Sequence, residues 1–475
     1  VNEPDPFRAE LARLVRQLLA ESHAHDGIAM SEPIRRHLGG DGAGLQVFGE
    51  EVPTFELPNL QVALDALFAQ RPEYEVEIIG VAGQGRRFAD VSLSDLLTTR
   101  QYLVGPPEYV NAAVGPDRML PCLAWGVLLV TTAEGPICMF VRRGEERGPS
   151  PGLSVQVVGR DAGAARRLLD DLRALMHELD VFRGQVITIE ADRYGGRRVR
   201  FLERPQLAAE HLVLPDGVLD RIERHVVGPT RHRTALLARD RHLARGLLLW
   251  GPPGTGKTHT IRYLTGRLVG ATVIILSGPS LGLVGAFGNL ARRLTPSVVV
   301  LEDVDLVAQE RTFGPGGSSP ALFELMNEMG GLAEDADVAF VLTTNRPDVL
   351  EPALAARPGR IDLAVEIPLP DVSARRRLVA LYGAGLGLDP TTADDVVART
   401  EGATASFFRE LFRKAALRAI EDGRELVSRD DVRAALDELL DETAALTRVL
   451  LGSGQPSAQA APWPHGWLEG MARHG

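Results

Sequence analysis

Lysine is almost absent: Lys257 and Lys414 are the only two in 475 residues, so arginine carries nearly all of the positive charge. The bias is that of GC-rich coding, and it makes a lysine inside a motif stand out. Cysteine is as scarce, with Cys122 and Cys138 alone. Two cysteines build no disulfide framework and these match no metal-ligand spacing, so they are expected to pack as small apolar side chains in a reducing compartment. Every apolar run falls short of the roughly 18 residues that a bilayer-crossing helix needs. The first residues, Val1, Asn2, Glu3, Pro4 and Asp5, bring early acids in place of a basic leader. These absences predict a soluble, cytoplasmic chain with no membrane partner. Acids outnumber basic residues 63 to 52, a net charge of −11, which disfavours the sequence-independent attraction to phosphate that carries most nucleic-acid binding. The length suggests about three domains.

The stretch that organises the rest is Gly251, Pro252, Pro253, Gly254, Thr255, Gly256, Lys257 and Thr258. It follows an apolar run, 246–250, and opens a segment of helical apolar spacing that begins at His259. A buried strand, a glycine-rich turn and a helix N-terminus gather unpaired N–H groups and the positive end of a helix dipole around one anionic ligand. Lys257 is placed to reach the β and γ phosphates of a nucleotide, and the Thr258 hydroxyl to complete a magnesium shell. A glycine-rich surface turn would leave the lysine unexplained.

Ahead of this cradle the texture is α+β. Residues 5–20 have helical apolar spacing, 22–51 suggest loop with one weak helix, and 60–68 a helix before a strand at 76–81. Apolar runs at 123–131 and 137–142 flank a turn and predict a hairpin; a strand (154–158), a helix (164–179) and a second hairpin (185–190 with 197–202) follow. The loop 143–152 is rich in glycine, proline and arginine. A helix at 217–227 and the stretch from it to the cradle carry Arg221, Arg224, Arg231, Arg233, Arg239, Arg241 and Arg245 and three histidines. These could form a nucleic-acid patch or solvated helix and loop faces interleaved with Glu223 and Asp240; no aromatic residue interleaves there to stack a base, which favours the solvated faces.

Beyond the cradle come buried strands at 273–276 and at 298–301, the latter running into Glu302, Asp303, Val304 and Asp305; a further strand, 338–342, ends at Thr343, Thr344 and Asn345. Phosphoryl transfer needs one carboxylate on the metal's shell and a neighbour that orients the attacking water. An amide at the next strand tip can sit beside the γ-phosphate. Open parallel sheets bind ligands at the carboxyl ends of their strands, so the three clusters should converge on one edge. Arg357 and Arg360 flank a Pro-Gly turn too far along the chain for the same cradle. Two readings stay open for them: an arginine finger offered to a neighbouring subunit, or surface arginines bridging carboxylates.

In its cradle, in VVVLEDVD, LMNEMGGL and TTNRPDVLEPALAARPGRID, and in GATASFFRELFRKAALRAI, the chain resembles an AAA ATPase of the branch that includes Cdc48-like and proteasomal ATPases. The resemblance covers about half the chain. It implies a P-loop α/β core at 208–372, a helical lid at 373–442, a flexible tail at 443–475 and, before them, a recognition domain at 1–207. It further implies ATP and Mg2+ held by residues 251–259, with Thr258 and Glu302 on the metal. Asp303 would be the base, Asn345 the sensor, Arg357 and Arg360 fingers acting in trans, and the assembly a homo-oligomeric, usually hexameric ring. Three positions depart from the family: Glu302-Asp303 stands where most relatives have Asp then Glu; Leu283-Val284-Gly285 replaces an aromatic pore loop, with Phe287 the next aromatic; and Ala405-Ser406-Phe407 replaces Gly-Ala-Asp. The expectation is an ATP-driven protein-remodelling ring. Its alternatives are a nucleotide-gated scaffold that hydrolyses little and, less in keeping with the charge, a nucleic-acid motor.

Overall fold

A computed structural model describes residues 27–40, 42, 44–83, 91–144, 152–191, 197–306, 336–348, 350 and 361–441. The expected helix at 5–20, the motif LMNEMGGL, Arg357, Arg360 and the tail lie outside them. The chain divides into two compact units, Val1–Phe182 with Glu190–Phe201, and Arg183–Ile189 with Leu202–Gly475.

In the first unit, α1 (Ser31–Leu38), β1 (Val47–Val52), α2 (Leu57–Gln70), β2 (Glu75–Ala82), α3 (Leu93–Thr98), β3 (Leu103–Gly105), β4 (Glu108–Ala113), β5 (Met119–Thr132), β6 (Gly135–Arg143), β7 (Leu153–Gly159) and α4 (Ala162–Glu178) follow in order. The strands make an antiparallel sheet in the order β1-β7-β6-β5-β2-β3, with β4 also on β5. Thr132 pairs with Gly135, which closes the predicted hairpin. Its strands read as unbroken apolar runs because both faces are covered. Leu128, Val130, Ile137 and Met139 pack with α2 and α4, while Val127, Leu129, Cys138 and Phe140 pack with α1 and α3. Both cysteines are free and buried, and burial pushes the Cys122 thiol up to about 11. Helix α1 and strand β1 fall in the stretch read mainly as loop; its glycines and histidines hid an apolar stripe of Met30, Ile34 and Leu38.

The second unit holds β8 (Val186–Ala191), then β10 (Arg245–Trp250), α7 (Lys257–Arg267), β11 (Thr272–Ser277), α8 (Val284–Arg293), β12 (Ser297–Glu302), β13 (Val338–Thr344) and β14 (Leu363–Glu366). Helices α5 (Val218–Arg231) and α6 (Arg233–Leu237) come between β8 and β10, and strand β9 (Arg197–Leu202) falls in the first unit but for Leu202. The sheet of the second unit runs β14-β10-β13-β12-β11-β8. Strand β8, expected in the N-terminal α+β domain, instead lies parallel to β11, Val186 opposite Val273. Alternating apolar residues mark a strand without naming the sheet it joins. Four further helices, α9 (Val372–Tyr382), α10 (Pro390–Arg399), α11 (Ala405–Glu421) and α12 (Arg429–Leu440), follow over the expected lid. Their core includes Phe407, fully buried and edge-on to Phe408. The third family departure thus places a core phenylalanine where relatives have an acid, a burial worth roughly 1.5–3 kcal/mol.

Candidate functional site

Strand β10 lies between β14 and β13, and β13 beside β12, all parallel. Trp250 is opposite Thr344, and Leu301 opposite Leu342. This register brings the ends of β10, β12 and β13 together, so the cradle, Glu302-Asp303 and Asn345 meet on one edge as the sequence predicts.

Within the cradle, Gly251 adopts φ 145° with its Cα against Ile367; a Cβ there would stand 2.2 Å from the Ile367 carbonyl oxygen. Only glycine fits. Gly251→Ala is expected to cost at least ~1–3 kcal/mol of stability, seen as a lowered melting temperature; an unchanged melt would mean that the turn is not held against Ile367. Lys257 is buried, and its ammonium donates to the Gly251 and Pro252 carbonyls at 2.8 and 2.9 Å. Burial pulls its pKa down to about 8, against the opposing pull of Asp303 and Asp305. The ammonium is therefore buried with only Asp303 and Asp305 acting to favour its charged form. His259, at the third position of α7, is half-buried; burial, then Arg262 and Arg409, lowers its imidazole.

At the tip of β12, burial raises the Glu302 carboxyl, the Thr258 hydroxyl hydrogen-bonds to it, and Asp303 adds repulsion. A hydroxyl facing a carboxylate beside a phosphate cradle is a hard-oxygen set that suits magnesium. Among the described residues no three His, Cys, Asp or Glu side chains could hold a metal alone.

Asp303 stands at φ 51°, in the left-handed region where Asp is among the few tolerated side chains. Its N–H donates to the Thr343 hydroxyl at 3.0 Å, and Asn345 Nδ2 reaches its carboxylate at 3.4 Å. Asp305, which the sequence reading left without a role, is buried and accepts from the Thr344 hydroxyl (2.9 Å) and the Asn345 N–H (3.2 Å). It locks the β12 tip to the β13 tip and so sets Asn345 against Asp303. Its alternation with Asp303 was a signal for a shared direction; its partners, some 40 residues on, were not visible.

Two further groups escaped the sequence reading. The Ser406 N–H donates to the Gly254 carbonyl at 3.2 Å, which ties α11 to the cradle. Arg377 on α9 donates to the Leu214 and Leu212 carbonyls at 3.1 and 3.3 Å. Between them a pocket is walled by Val213, Pro215, Thr255, Ile367, Ala374 and Ala405. Phe287 is fully buried, so it offers no aromatic ring in place of the one missing at Leu283.

Comparison with known proteins places this geometry. The profile of the ATPase family associated with various cellular activities (AAA) matches residues 247–369. A proteasome-activating nucleotidase of Methanocaldococcus jannaschii is 28% identical over 52% of this chain and 61% of its own length. One from Methanothermobacter thermautotrophicus is 32% identical over 41% of the chain and 51% of its own length. An ATP-dependent zinc metalloprotease FtsH of Thermus thermophilus is 32% identical over 44% of the chain and 35% of its own. The aligned region thus spans between about a third and three fifths of these relatives.

Proposed function

We propose that this chain, whose residues 247–369 match the AAA ATPase family and which is similar to proteasome-activating nucleotidases, hydrolyses ATP in an oligomeric ring and uses the cycle to remodel protein clients. The observation that carries this reading is the convergence of Lys257, Thr258, Glu302, Asp303 and Asn345 on one sheet edge. Lys257 exchanges its carbonyl partners for the β and γ phosphates. Thr258 and Glu302 would hold a magnesium ion, whose charge would offset that of the phosphates. Asp303 orients a water and takes its proton as the water oxygen bonds to the γ-phosphorus, the bond to the ADP oxygen breaks, and ADP and phosphate form. Asn345, fixed by Asp305, steadies the water. Arg357 and Arg360 of a neighbouring subunit would act as fingers, consistent with a head-to-tail ring, a hexamer in this reading.

The base fits the pocket beside Thr255, whose 212–214 wall Arg377 holds. Arg377→Ala is expected to weaken ATP binding roughly tenfold, by titration with a fluorescent nucleotide, because two charged hydrogen bonds that shape the wall are lost. Affinity within twofold of wild type would remove Arg377 from the site.

Clients are proteins in this reading because the relatives' names tie nucleotide hydrolysis to proteasome activation and to proteolysis. The cysteine usage and charge favour action in the cytoplasm and on protein in preference to nucleic acid. Leucine at position 283 supports remodelling or disassembly over threading, since an aliphatic side chain grips an unfolded chain less well than an aromatic one. The test is ATP turnover across a protein concentration series with sizing of the same samples. Turnover that rises as a large ring forms supports the proposal. A ring with negligible turnover favours the gated scaffold, for which the Glu302-Asp303 order speaks. Turnover stimulated by DNA or RNA would favour the motor.

A further inference from the structure

From Arg221 to Arg245 the sequence holds seven arginines against two acids, in a chain of net charge −11. The structure separates them. Arg245 is buried, paired with Asp337 at 2.9 Å and bonded to the Val226 carbonyl. Arg239 donates to Ala235. Arg221, Arg224, Arg231, Arg233 and Arg241 are exposed, and their guanidinium groups form no hydrogen bond or ion pair among the described residues. Several exposed arginines elsewhere find carboxylates: Arg167 with Glu134, Arg376 with Asp394, Arg413 with Glu410 and Arg418 with Glu438. Of the two acids expected to balance the stretch, Glu223 is committed elsewhere, since it accepts from Tyr263 and Arg267. Asp362 accepts from the Gly246 N–H.

Arg221 and Arg224 stand one turn apart on α5 and, with His242, rim a cleft over Pro229, Leu243 and Leu363. The cleft sits where β10 and β14 begin, the sheet edge opposite the cradle and about 20 Å from it by strand rise. We propose that it docks an acidic protein segment carrying an apolar side chain: its carboxylates pair with the guanidinium forks, and the apolar group covers the floor. A single small anion cannot meet the whole field, because Arg221 and Arg231 are about 15 Å apart along α5. A nucleic acid is disfavoured by the net charge and by the absence of any aromatic residue in the lining. The site lies away from the nucleotide and stands independently of the proposed function.

The test titrates the full-length chain into a fluorescein-labelled peptide rich in glutamate with spaced leucines, at low salt, and follows anisotropy. Saturable binding is expected, weakening as salt rises. The Arg221→Ser/Arg224→Ser variant should raise Kd at least about tenfold, which corresponds to about 1.4 kcal/mol. Arg413→Ser, which removes an arginine already paired, should stay within twofold. These arginines are exposed, so matching melting temperatures would rule out misfolding as the cause. No saturation, equal affinity in the double variant, or tighter binding of a single-stranded DNA oligonucleotide at the same salt overturns the proposal.

Discussion

Lys257→Ala is expected to weaken ATP binding at least about a hundredfold, the loss of two charge-assisted contacts to phosphate, and to abolish turnover at ordinary nucleotide concentrations. The apo protein should melt close to wild type. Burial already pulls this ammonium down to about 8, so its removal relieves a desolvation cost that offsets the two carbonyl hydrogen bonds lost with it. Titration with a fluorescent nucleotide and a thermal melt on the same preparation separate the two effects. ATP affinity within tenfold of wild type would sink the assignment of the cradle.

Asp303→Asn should do the reverse: nucleotide affinity within a few-fold of wild type, and kcat lower by about 10²–10⁴, the usual worth of a general base. The substitution is mild in geometry. Asparagine shares aspartate's tolerance of the left-handed backbone at φ 51°, and its carbonyl oxygen can still accept from Asn345. What it cannot do is take a proton. Single-turnover hydrolysis with saturating ATP reads this step directly, and a rate equal to wild type would transfer the role of base to another group. If wild type and variant both assemble with ATP and both turn over negligibly, hydrolysis is not the output and the scaffold reading replaces the machine.

Most of this site could be read from the sequence, and the reason is local. Gly251 to Thr258 are consecutive, Glu302 and Asp303 end an apolar run, and Asn345 ends another; strand ends of a parallel sheet meet on one edge whatever the rest of the chain does. Composition and periodicity likewise pointed to the β5–β6 hairpin and to strands β10, β11, β12 and β13, while the helical lid was implied by the family resemblance. Contacts between residues far apart in the chain were decided by tertiary structure alone. Asp305 is defined by Thr344 and Asn345, and Arg377 by the carbonyls of Leu212 and Leu214, more than 160 positions away. Strand β8 looked like part of a preceding domain until its parallel pairing with β11 was seen. The arginines of 221–241 read as a balanced, solvated face because charge spacing does not say where Glu223 points; folding turns that carboxylate to Tyr263 and Arg267 and leaves Arg221, Arg224, Arg231, Arg233 and Arg241 without a side-chain partner among the described residues. Sequence fixes what a residue can do within its own element, through backbone direction and the periods of strand and helix. Which distant group it meets, and therefore whether a charge is spent or free, depends on how the elements pack.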